Sequence, residues 1–244
     1  MRCSVEKTYE NVEISEGVYM LSIKGKFNVK PGQFFMLKVD NLEPLLPRPI
    51  SVYDVDDEKI SFLYGIVGVG TKLLSKLREN DQVQIMGPLG NGFEVEKIKG
   101  KIAVVSGGIG IAPLIYLIKK LTDCEIDLYC GFRAVDYSVD TVEKYVNKIY
   151  LSTESGKIGH KGYITDILNP KEYEMVICCG PEIMMKKVIS MCNDSKTPIL
   201  VSMENHMACG IGACLVCTCK TKDGNMRTCK DGPMFNGKDL IFND

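Results

Sequence analysis

The chain has 244 residues and a formal net charge of −1, from 30 basic and 31 acidic residues. This balance gives no electrostatic reason to bind nucleic acid or an anionic membrane surface. Apolar residues make up 45% of the chain, which supports a hydrophobic core, excludes a disordered chain and, at this length, allows two compact domains with a small additional region.

Short β-type segments separated by turn residues fill the first hundred positions. They are predicted at 18–23, 34–39, 60–64 and 82–86. One helix interrupts them, because Thr71 is a good N-cap and the leucines that follow it give an apolar face. This pattern predicts a small antiparallel β-barrel.

From about Lys101 the pattern changes to strands that alternate with helices. A buried strand at 102–105 leads into a glycine turn at 107–113 and a helix at 114–121. Further strands are predicted at 125–129, 148–151, 175–178 and 199–202. Such alternation is typical of a parallel α/β sheet. The C-terminal region reads as a cysteine-rich loop with a tail poor in strands.

The predicted fold class is therefore α+β and α/β. It combines an N-terminal antiparallel β-barrel, a parallel α/β domain and a small C-terminal cysteine region. The predicted boundaries are residues 1–99, 100–202 and 203–244.

A group of residues in the predicted barrel has the chemistry of a flavin site. Arg48 offers a fixed fork of donors to a phosphate, and Ser51 can hydrogen-bond a ring edge or a ribose. Tyr64 offers either a flat face for an isoalloxazine or, as for most tyrosines, a core side chain. Gly70 and Thr71 open the predicted helix, whose N-terminus attracts phosphate.

Two turns in the α/β half have the setting of a nucleotide site. Gly107, Gly108, Gly110 and Pro113 lie in a turn between a buried strand and a helix, as a dinucleotide-phosphate turn requires. The proline departs from the G-x-G-x-x-G pattern, so a merely tight strand–helix turn stays open.

The second turn follows the strand at 175–178. Cys179, Gly180 and Pro181 lie where ligands bind in open α/β sheets. Cys179 is predicted to point toward the site, near a nicotinamide, and the alternative is a small buried thiol.

Four C-terminal cysteines carry the most specific signal. Cys209, Cys214, Cys217 and Cys229 follow the spacing C-x4-C-x2-C-x11-C, which is the plant-type spacing for a [2Fe–2S] cluster. Zinc sites usually come as two close cysteine pairs, so zinc fits less well, and disulfides are a further alternative. Cys219 is predicted to be a buried neighbour and not a ligand.

The environment of the thiols is predicted from the rest of the chain. Eleven cysteines would suggest disulfides in a secreted protein. The first residues lack the apolar segment of a signal peptide, and no apolar stretch approaches a membrane span. A cytoplasmic protein with free or metal-bound thiols is expected. Only two histidines are present, and neither lies near a nucleophile-elbow pattern, which disfavours a serine hydrolase.

The segments 48–51, 107–113 and 179–181 resemble the three signatures of the ferredoxin–NADP reductase superfamily. The cysteine spacing and the segments 204–214 and 229–235 narrow the resemblance. The whole chain resembles the electron-transfer subunits of NAD-linked bacterial dihydroorotate dehydrogenases. By this resemblance the first signature binds FAD, and the other two bind the phosphates and the nicotinamide end of a nicotinamide nucleotide.

The resemblance also implies site residues and partners. The implied FAD contacts are Arg48, Pro49, Ile50, Ser51, Leu63, Tyr64, Gly65, Gly70 and Thr71. The implied ligands of the [2Fe–2S] cluster are the four spaced cysteines. The family is a heterotetramer of two such chains with two FMN-containing catalytic chains, which oxidise dihydroorotate. Electrons are then expected to pass from that FMN through the cluster and FAD to NAD+, with no orotate site in this chain.

Several alternatives stay open at this point. The chain could be another FAD and iron–sulfur subunit of the superfamily, of the ferredoxin-dependent transhydrogenase type or the sulfide or sulfite reductase type. A zinc-binding interaction module and a stand-alone reductase are the others. NAD is favoured over NADP because the segments after two predicted strands carry Arg133 with Asp136, and Glu154, and not an arginine cluster.

Overall fold

The computed structural model describes residues 1–39, 43–134 and 137–242. Asp136, used above in the comparison of NAD with NADP, lies outside these residues. The described chain folds into a closed barrel, a seven-stranded sheet and a three-stranded sheet.

The N-terminal half forms a closed antiparallel barrel, with strands in the order β1-β2-β5-β4-β3-β6. The strands are β1 (Arg2–Ser15), β2 (Val18–Lys24), β3 (Phe34–Lys38), β4 (Arg48–Val55), β5 (Lys59–Gly65) and β6 (Gln82–Leu89). A register shift at Thr8/Glu10 lies where β1 passes from pairing with β6 to pairing with β2, and a second shift lies further along the β1–β2 pair, at Glu13/Ser15. Edge-to-face contacts of Phe35 with Phe62, at 5.5 Å between centroids, help to fill the interior.

Helix α1 (Val69–Leu74) begins three residues earlier than a helix capped by Thr71 would. Its N-cap is Gly68, and Thr71 lies in the third helical position. The Thr71 hydroxyl accepts hydrogen bonds from the backbone N–H groups of Val67 and Gly68, at 3.0 and 3.2 Å. The prediction of Thr71 as the N-cap was wrong, because its side chain reaches back over the turn and does the capping from within the helix.

The second half forms a parallel sheet in the order β10-β9-β8-β7-β11-β12. Its strands are β7 (Gly100–Gly107), β8 (Cys124–Phe132), β9 (Lys148–Thr153), β10 (His160–Lys161), β11 (Met175–Cys179) and β12 (Ile199–Ser202). Helices α2 (Ala112–Lys120) and α3 (Glu182–Ser195) follow β7 and β11. The other helical segments are 3-10 turns at Val95–Lys97, Gly108–Ile111, Asp140–Tyr145, Ile164–Asp166, Pro170–Glu172 and Gly237–Asp239.

Helix α2 joins the two halves. Its residues from Ala112 to Ile118 are all buried, since one side packs on the sheet and the other on the barrel. Tyr116 inserts into the barrel core, and Lys119 Nζ lies 2.6 Å from Asp54 Oδ2 of β4. This packing fixes the barrel against the sheet, which matters for any ligand shared between them.

The C-terminal region contains four short strands, so the expectation of a strand-poor tail was wrong. They are β13 (Thr218–Thr221), β14 (Gly224–Arg227), β15 (Met234–Asn236) and β16 (Leu240–Ile241). Strand β15 adds to the edge of the parallel sheet by antiparallel pairing with β12, and the other three form the small sheet. The fold class predicted from the sequence is confirmed, whereas the boundaries at 99/100 and 202/203 stay a prediction.

Among the described residues, no helix is both long and apolar enough to cross a membrane.

Candidate functional site

The predicted flavin residues lie on adjacent barrel strands and on helix α1. Arg48 begins β4, and its guanidinium lies directly over Gly70, where a Cβ would come within 2.6 Å of the guanidinium carbon. Glycine at position 70 is thus required for this close approach. The Arg48 side chain is half-buried and also donates to the carbonyl of Leu46. The guanidinium is therefore held at the barrel mouth while part of it stays open to a ligand.

The side chains of β4 and β5 divide between two faces. Tyr53 and Leu63 pack in the core beside the α/β sheet, and Ser51 shares the face of Tyr53 because strand residues alternate. Ser51 and Leu63 therefore face the boundary between barrel and sheet. A flat ligand held by the backbone of β4 and β5 would lie at this boundary.

Tyr64 faces the opposite way. Its ring is 2% exposed, packs in the barrel core and stacks on Tyr19 at 6.0 Å between centroids. Its hydroxyl donates to Asn11 at 3.2 Å, and burial raises its pKa well above the usual range. Of the two alternatives given for Tyr64, the structure shows the core side chain, so its ring offers no face to an isoalloxazine. Contact through the backbone of 63–65 stays a prediction.

The two predicted nucleotide turns meet at the point where the strand order of the sheet reverses. Strand β7 leads on one side to β8 and on the other to β11, so a crevice opens between the ends of β7 and β11. A Cβ at Gly110 would lie 2.5 Å from the carbonyl oxygen of Cys179. The first turn thus packs its backbone directly on the second, and only glycine permits that contact.

A cavity of about 340 Å³ opens at this crevice. Its lining includes Gly107, Gly108, Gly110, Gly180 and Pro181, which are five of the residues predicted for the nucleotide. Pro113 does not line it, because it is buried in the first turn of α2. The cavity is of the size class that holds small ligands.

Three cavity residues were missed by sequence reasoning. Met203, Glu204 and Asn205 follow β12 and line the cavity opposite the glycine turn. Their position after the neighbouring parallel strand could have indicated them, since ligands bind at such strand ends.

Cys179 does not line this cavity. Its side chain is fully buried, and its sulfur lies 3.9 Å from the Glu204 carboxylate, to which the thiol donates. Burial raises the pKa of the Cys179 thiol well above its usual range. Cys179 therefore remains a neutral thiol behind Glu204, and its predicted role near a nicotinamide stays a prediction.

Glu204 should contribute a pH-dependent stability. Its side chain is open to the cavity, yet the protein around the carboxyl removes part of its hydration, and this desolvation raises the pKa of Glu204. A carboxyl with a raised folded-state pKa favours folding below its unfolded pKa and loses that contribution as pH rises through the folded value. Glu204→Gln should therefore raise the melting temperature of the holoprotein near neutral pH, and the gain should vanish toward about pH 4.

The control for this prediction is Glu154→Gln, which removes an exposed carboxylate after β9. Thermal melts of both variants across the pH range would separate a local effect from one of net charge. A gain for Glu204→Gln that did not change with pH, or that Glu154→Gln reproduced, would contradict the assignment.

Three of the four spaced cysteines, Cys209, Cys214 and Cys217, lie in one loop lined by backbone donors, and Cys229 follows twelve residues after the loop. We call residues 209–217 the cysteine loop. Backbone N–H groups of Ala213 and Cys214 donate to Cys209 Sγ at 3.3 and 3.4 Å. Burial by itself would raise the pKa of Cys209, but backbone donors, first those of Ile211 and Cys214, outweigh it and lower the pKa to about 6. The loop therefore stabilises sulfur as thiolate.

The four thiols form two neighbouring pairs. The backbone N–H of Cys214 donates to Cys209 Sγ, and the backbone N–H of Cys229 donates to Cys217 Sγ, both at 3.4 Å. Among the residues that the structure describes, no three or more His, Cys, Asp or Glu side chains gather as a site for a metal ion. Two thiolate pairs suit a cluster of two irons, each with two cysteines, better than one tetrahedral zinc. The residues present thus fit a [2Fe–2S] cluster.

The cysteine loop packs on the barrel. Cys217 and Cys229 share an apolar cluster with Phe34, Met36 and Leu89 of strands β3 and β6. Gly210 has φ +70°, and a Cβ there would meet Met36 at 2.9 Å. Strand β3 pairs directly with the part of β4 that carries residues 48–51. The loop and the candidate flavin residues are therefore one strand apart.

Asn205 links the cavity to the cysteine region. Its side-chain amide donates to the Cys217 carbonyl at 3.3 Å and to the Thr228 hydroxyl at 3.0 Å. The residue lines the cavity and holds the backbone beside two of the four cysteines. Flavin residues, cavity and cysteines thus form one contiguous region.

A closed antiparallel barrel packed against an open parallel sheet, with a cavity at the reversal of strand order, defines the ferredoxin–NADP reductase class. Solved structures agree with this class. The structure of an NADH-dependent reduced ferredoxin–NADP oxidoreductase, studied for flavin-based electron bifurcation, covers 98% of this chain and 90% of its own, with a TM-score of 0.88 and 28% identity. A ferredoxin NADP+ reductase from Neisseria gonorrhoeae with bound FAD and NADP shows the same fold, with a TM-score of 0.65 over 80% of this chain and 92% of its own, at 15% identity.

Sequence relatives define the family. Residues 204–241 match the family described as the iron-sulfur cluster binding domain of dihydroorotate dehydrogenase B. The dihydroorotate dehydrogenase B (NAD(+)) electron transfer subunit of Clostridium acetobutylicum is 60% identical over 99% of this chain and 98% of the relative. That of Clostridium perfringens is 50% identical, with 97% of both chains covered. The chain belongs to the family of dihydroorotate dehydrogenase B electron transfer subunits, and it is therefore an oxidoreductase subunit.

Proposed function

We propose that this chain carries electrons from the FMN of a dihydroorotate-oxidising partner, through a [2Fe–2S] cluster and FAD, to NAD+. The observation that supports this order is the packing of the cysteine loop on the same barrel that presents Arg48, Gly70 and Ser51. When bound, the cluster carries single electrons and the flavin handles both single electrons and a hydride.

The chain's own residues would position these groups. Arg48, fixed over Gly70, would hold a phosphate of FAD by charge-assisted hydrogen bonds. Pro49, Ile50, Ser51, Leu63, Gly65 and Thr71 would complete the flavin site. Because Ser51 and Leu63 face the sheet, a ring held there would be turned toward the cavity and away from the barrel interior.

The cavity between the glycine turns would hold NAD+. Gly107, Gly108 and Gly110 would line one side of the nucleotide with backbone, and Gly180 and Pro181 would line the other. The relatives are named for NAD(+), and the exposed Glu154 is the acidic candidate for a ribose hydroxyl.

The catalytic partner would dock at the cysteine loop in a heterotetramer of two chains of each kind, within the cytoplasm. Leu215 is 61% exposed, and Ile211 and Val216 are about half exposed, at 47% and 55%. These apolar side chains surround the candidate cluster on its outer side. A partner that covered them would bring its own redox group close to the four sulfurs.

The test is purification of this chain without oxygen, alone and together with the FMN-containing dihydroorotate dehydrogenase subunit. We expect two irons and one FAD per chain, with NAD+ reduction by dihydroorotate only when both subunits are present. NADH should be preferred over NADPH as reductant of an artificial acceptor, and native mass should give two chains of each kind. A colourless zinc protein, or oxidation of dihydroorotate by this chain alone, would overturn the proposal.

Leu215→Glu supplies the control for docking. It places a charge on the exposed side of the cysteine loop without touching a candidate ligand. Iron and flavin content should stay unchanged while assembly with the partner weakens. Unchanged assembly would remove the cysteine loop as the docking surface and leave the electron-transfer assignment intact.

A further inference from the structure

An ion pair between Arg227 and Asp231 spans the turn that carries Cys229, with one partner two residues before the cysteine and the other two residues after it. Arg227 Nε and one terminal nitrogen donate to the two oxygens of Asp231, at 2.9 and 3.0 Å. The backbone N–H of Arg227 also donates to Asp231 at 2.8 Å. A bidentate pair of this kind holds the guanidinium in one orientation.

The remaining guanidinium nitrogen reaches the cysteine loop. Arg227 Nη1 donates to the carbonyl of Gly212 at 3.3 Å. That carbonyl belongs to the same peptide unit as the N–H of Ala213, which donates to Cys209 Sγ at 3.3 Å. A chain of contacts thus runs from Asp231 through Arg227 and one peptide to a candidate cluster sulfur.

A cation on a peptide oxygen polarises the peptide, and hydrogen bonds in a chain strengthen one another. The N–H of Ala213 should therefore be a stronger donor to Cys209 than an ordinary amide. Hydrogen bonds to the sulfurs and local charge set the reduction potential of an iron–sulfur cluster. Stronger donation stabilises the more negative, reduced state and raises the potential.

We propose that Arg227 is a positioning residue that raises the reduction potential of the cluster through the Gly212–Ala213 peptide, and that Asp231 moderates this effect. This inference rests on the proposed [2Fe–2S] cluster and adds the residues that tune it. Arg227 donates no hydrogen bond to a candidate ligand sulfur. Its charge does interact with Cys229 and Cys217, and Arg227→Lys, which keeps that charge, separates the direct electrostatic effect from the path through the peptide.

The experiment is a redox titration of the holoprotein, followed by the electron paramagnetic resonance of the reduced cluster. Arg227→Gln should shift the potential to a more negative value, and Asp231→Asn should shift it to a more positive value. Arg227→Lys keeps the charge but loses the fork, so its potential should fall toward that of Arg227→Gln. Resonance Raman spectra should report a changed Fe–S stretch in Arg227→Gln, as expected when an N–H···S bond weakens.

Two lysine variants serve as controls. Lys222→Gln removes an exposed charge in the β13–β14 turn, and Lys230→Gln removes one whose side chain covers Gly212 without bonding its carbonyl. The proposal would be overturned if Arg227→Gln had the same cluster potential as Lys222→Gln. It would also be overturned if Arg227→Gln and Lys230→Gln shifted the potential equally. If Arg227→Gln fails to hold iron, the other two variants still test the proposal, because the potential should rise in Asp231→Asn and fall in Arg227→Lys. Wild-type protein without iron would instead contradict the proposed function.

Discussion

Cys214→Ala should remove the iron–sulfur cluster while the rest of the protein stays folded. The Cys214 side chain is exposed, so its loss leaves no core cavity, and the variant should retain FAD. Without the Cys214 thiolate, one of the two irons would lack a protein ligand. We expect iron content to collapse and dihydroorotate-dependent NAD+ reduction to fall by at least ~100-fold, since changing even the partners behind metal ligands costs ~10–100-fold.

Cys219→Ala is the matched control, because it makes the same substitution two residues beyond Cys217. Its thiol is half-buried on β13 and interacts with Thr228. Iron quantification, absorbance and electron transfer to NAD+ should all match the wild type. Iron loss in Cys219→Ala and retention in Cys214→Ala would show that the ligand set is misassigned.

Gly110→Ala should have the largest effect on the nucleotide cavity. Its Cβ would lie 2.5 Å from a backbone oxygen and 2.7 Å from a backbone carbon of Cys179. No side-chain rotation can relieve that contact, so one of the two turns must move. Overpacking of this kind costs ~1–3 kcal/mol, so we expect NADH to bind about tenfold more weakly or worse, since about 1.4 kcal/mol corresponds to tenfold.

The measurement is NADH titration of the FAD-loaded protein, with iron and flavin content determined in parallel. Gly68→Ala is the control, because position 68 has extended backbone and no atom within 4 Å of a new Cβ. It should bind NADH as the wild type does. Wild-type affinity in Gly110→Ala would mean that the contact between the two turns does not shape the nucleotide site.

Local patterns identified the elements whose signal lies in a few consecutive residues. The glycine turn at 107–113 and the turn at 179–181 were found because each needs small residues directly after a buried strand. Strands β1 and β4 were not predicted, since β1 mixes polar residues into both faces and β4 starts with an Arg–Pro pair. Barrel closure decides these strands, because their hydrogen-bond partners are distant in the sequence.

Positions of single side chains were harder to predict than elements. For Tyr64 the sequence left open a flavin platform and a core side chain, and only the strand alternation in the folded barrel shows that its ring points inward. Glu204 and Asn205 carry no motif of their own, and they join the cavity only because β12 lies beside β11 in the sheet. Thr71 was predicted as the N-cap of α1 but occupies the third helical position, because the capping contact depends on how the chain enters the helix.

The sequence by itself determined the family and the barrel-plus-sheet fold class, and it predicts the four cysteines as cluster ligands because their spacing along the chain is itself the signal. Tertiary structure decided what no local pattern contains. It placed the cysteine loop on Met36 and Leu89 of the barrel, brought the two glycine turns into backbone contact, and set Arg227 across the turn from Gly212. Each of these contacts joins segments far apart in sequence, so only the packing of the folded chain brings them together.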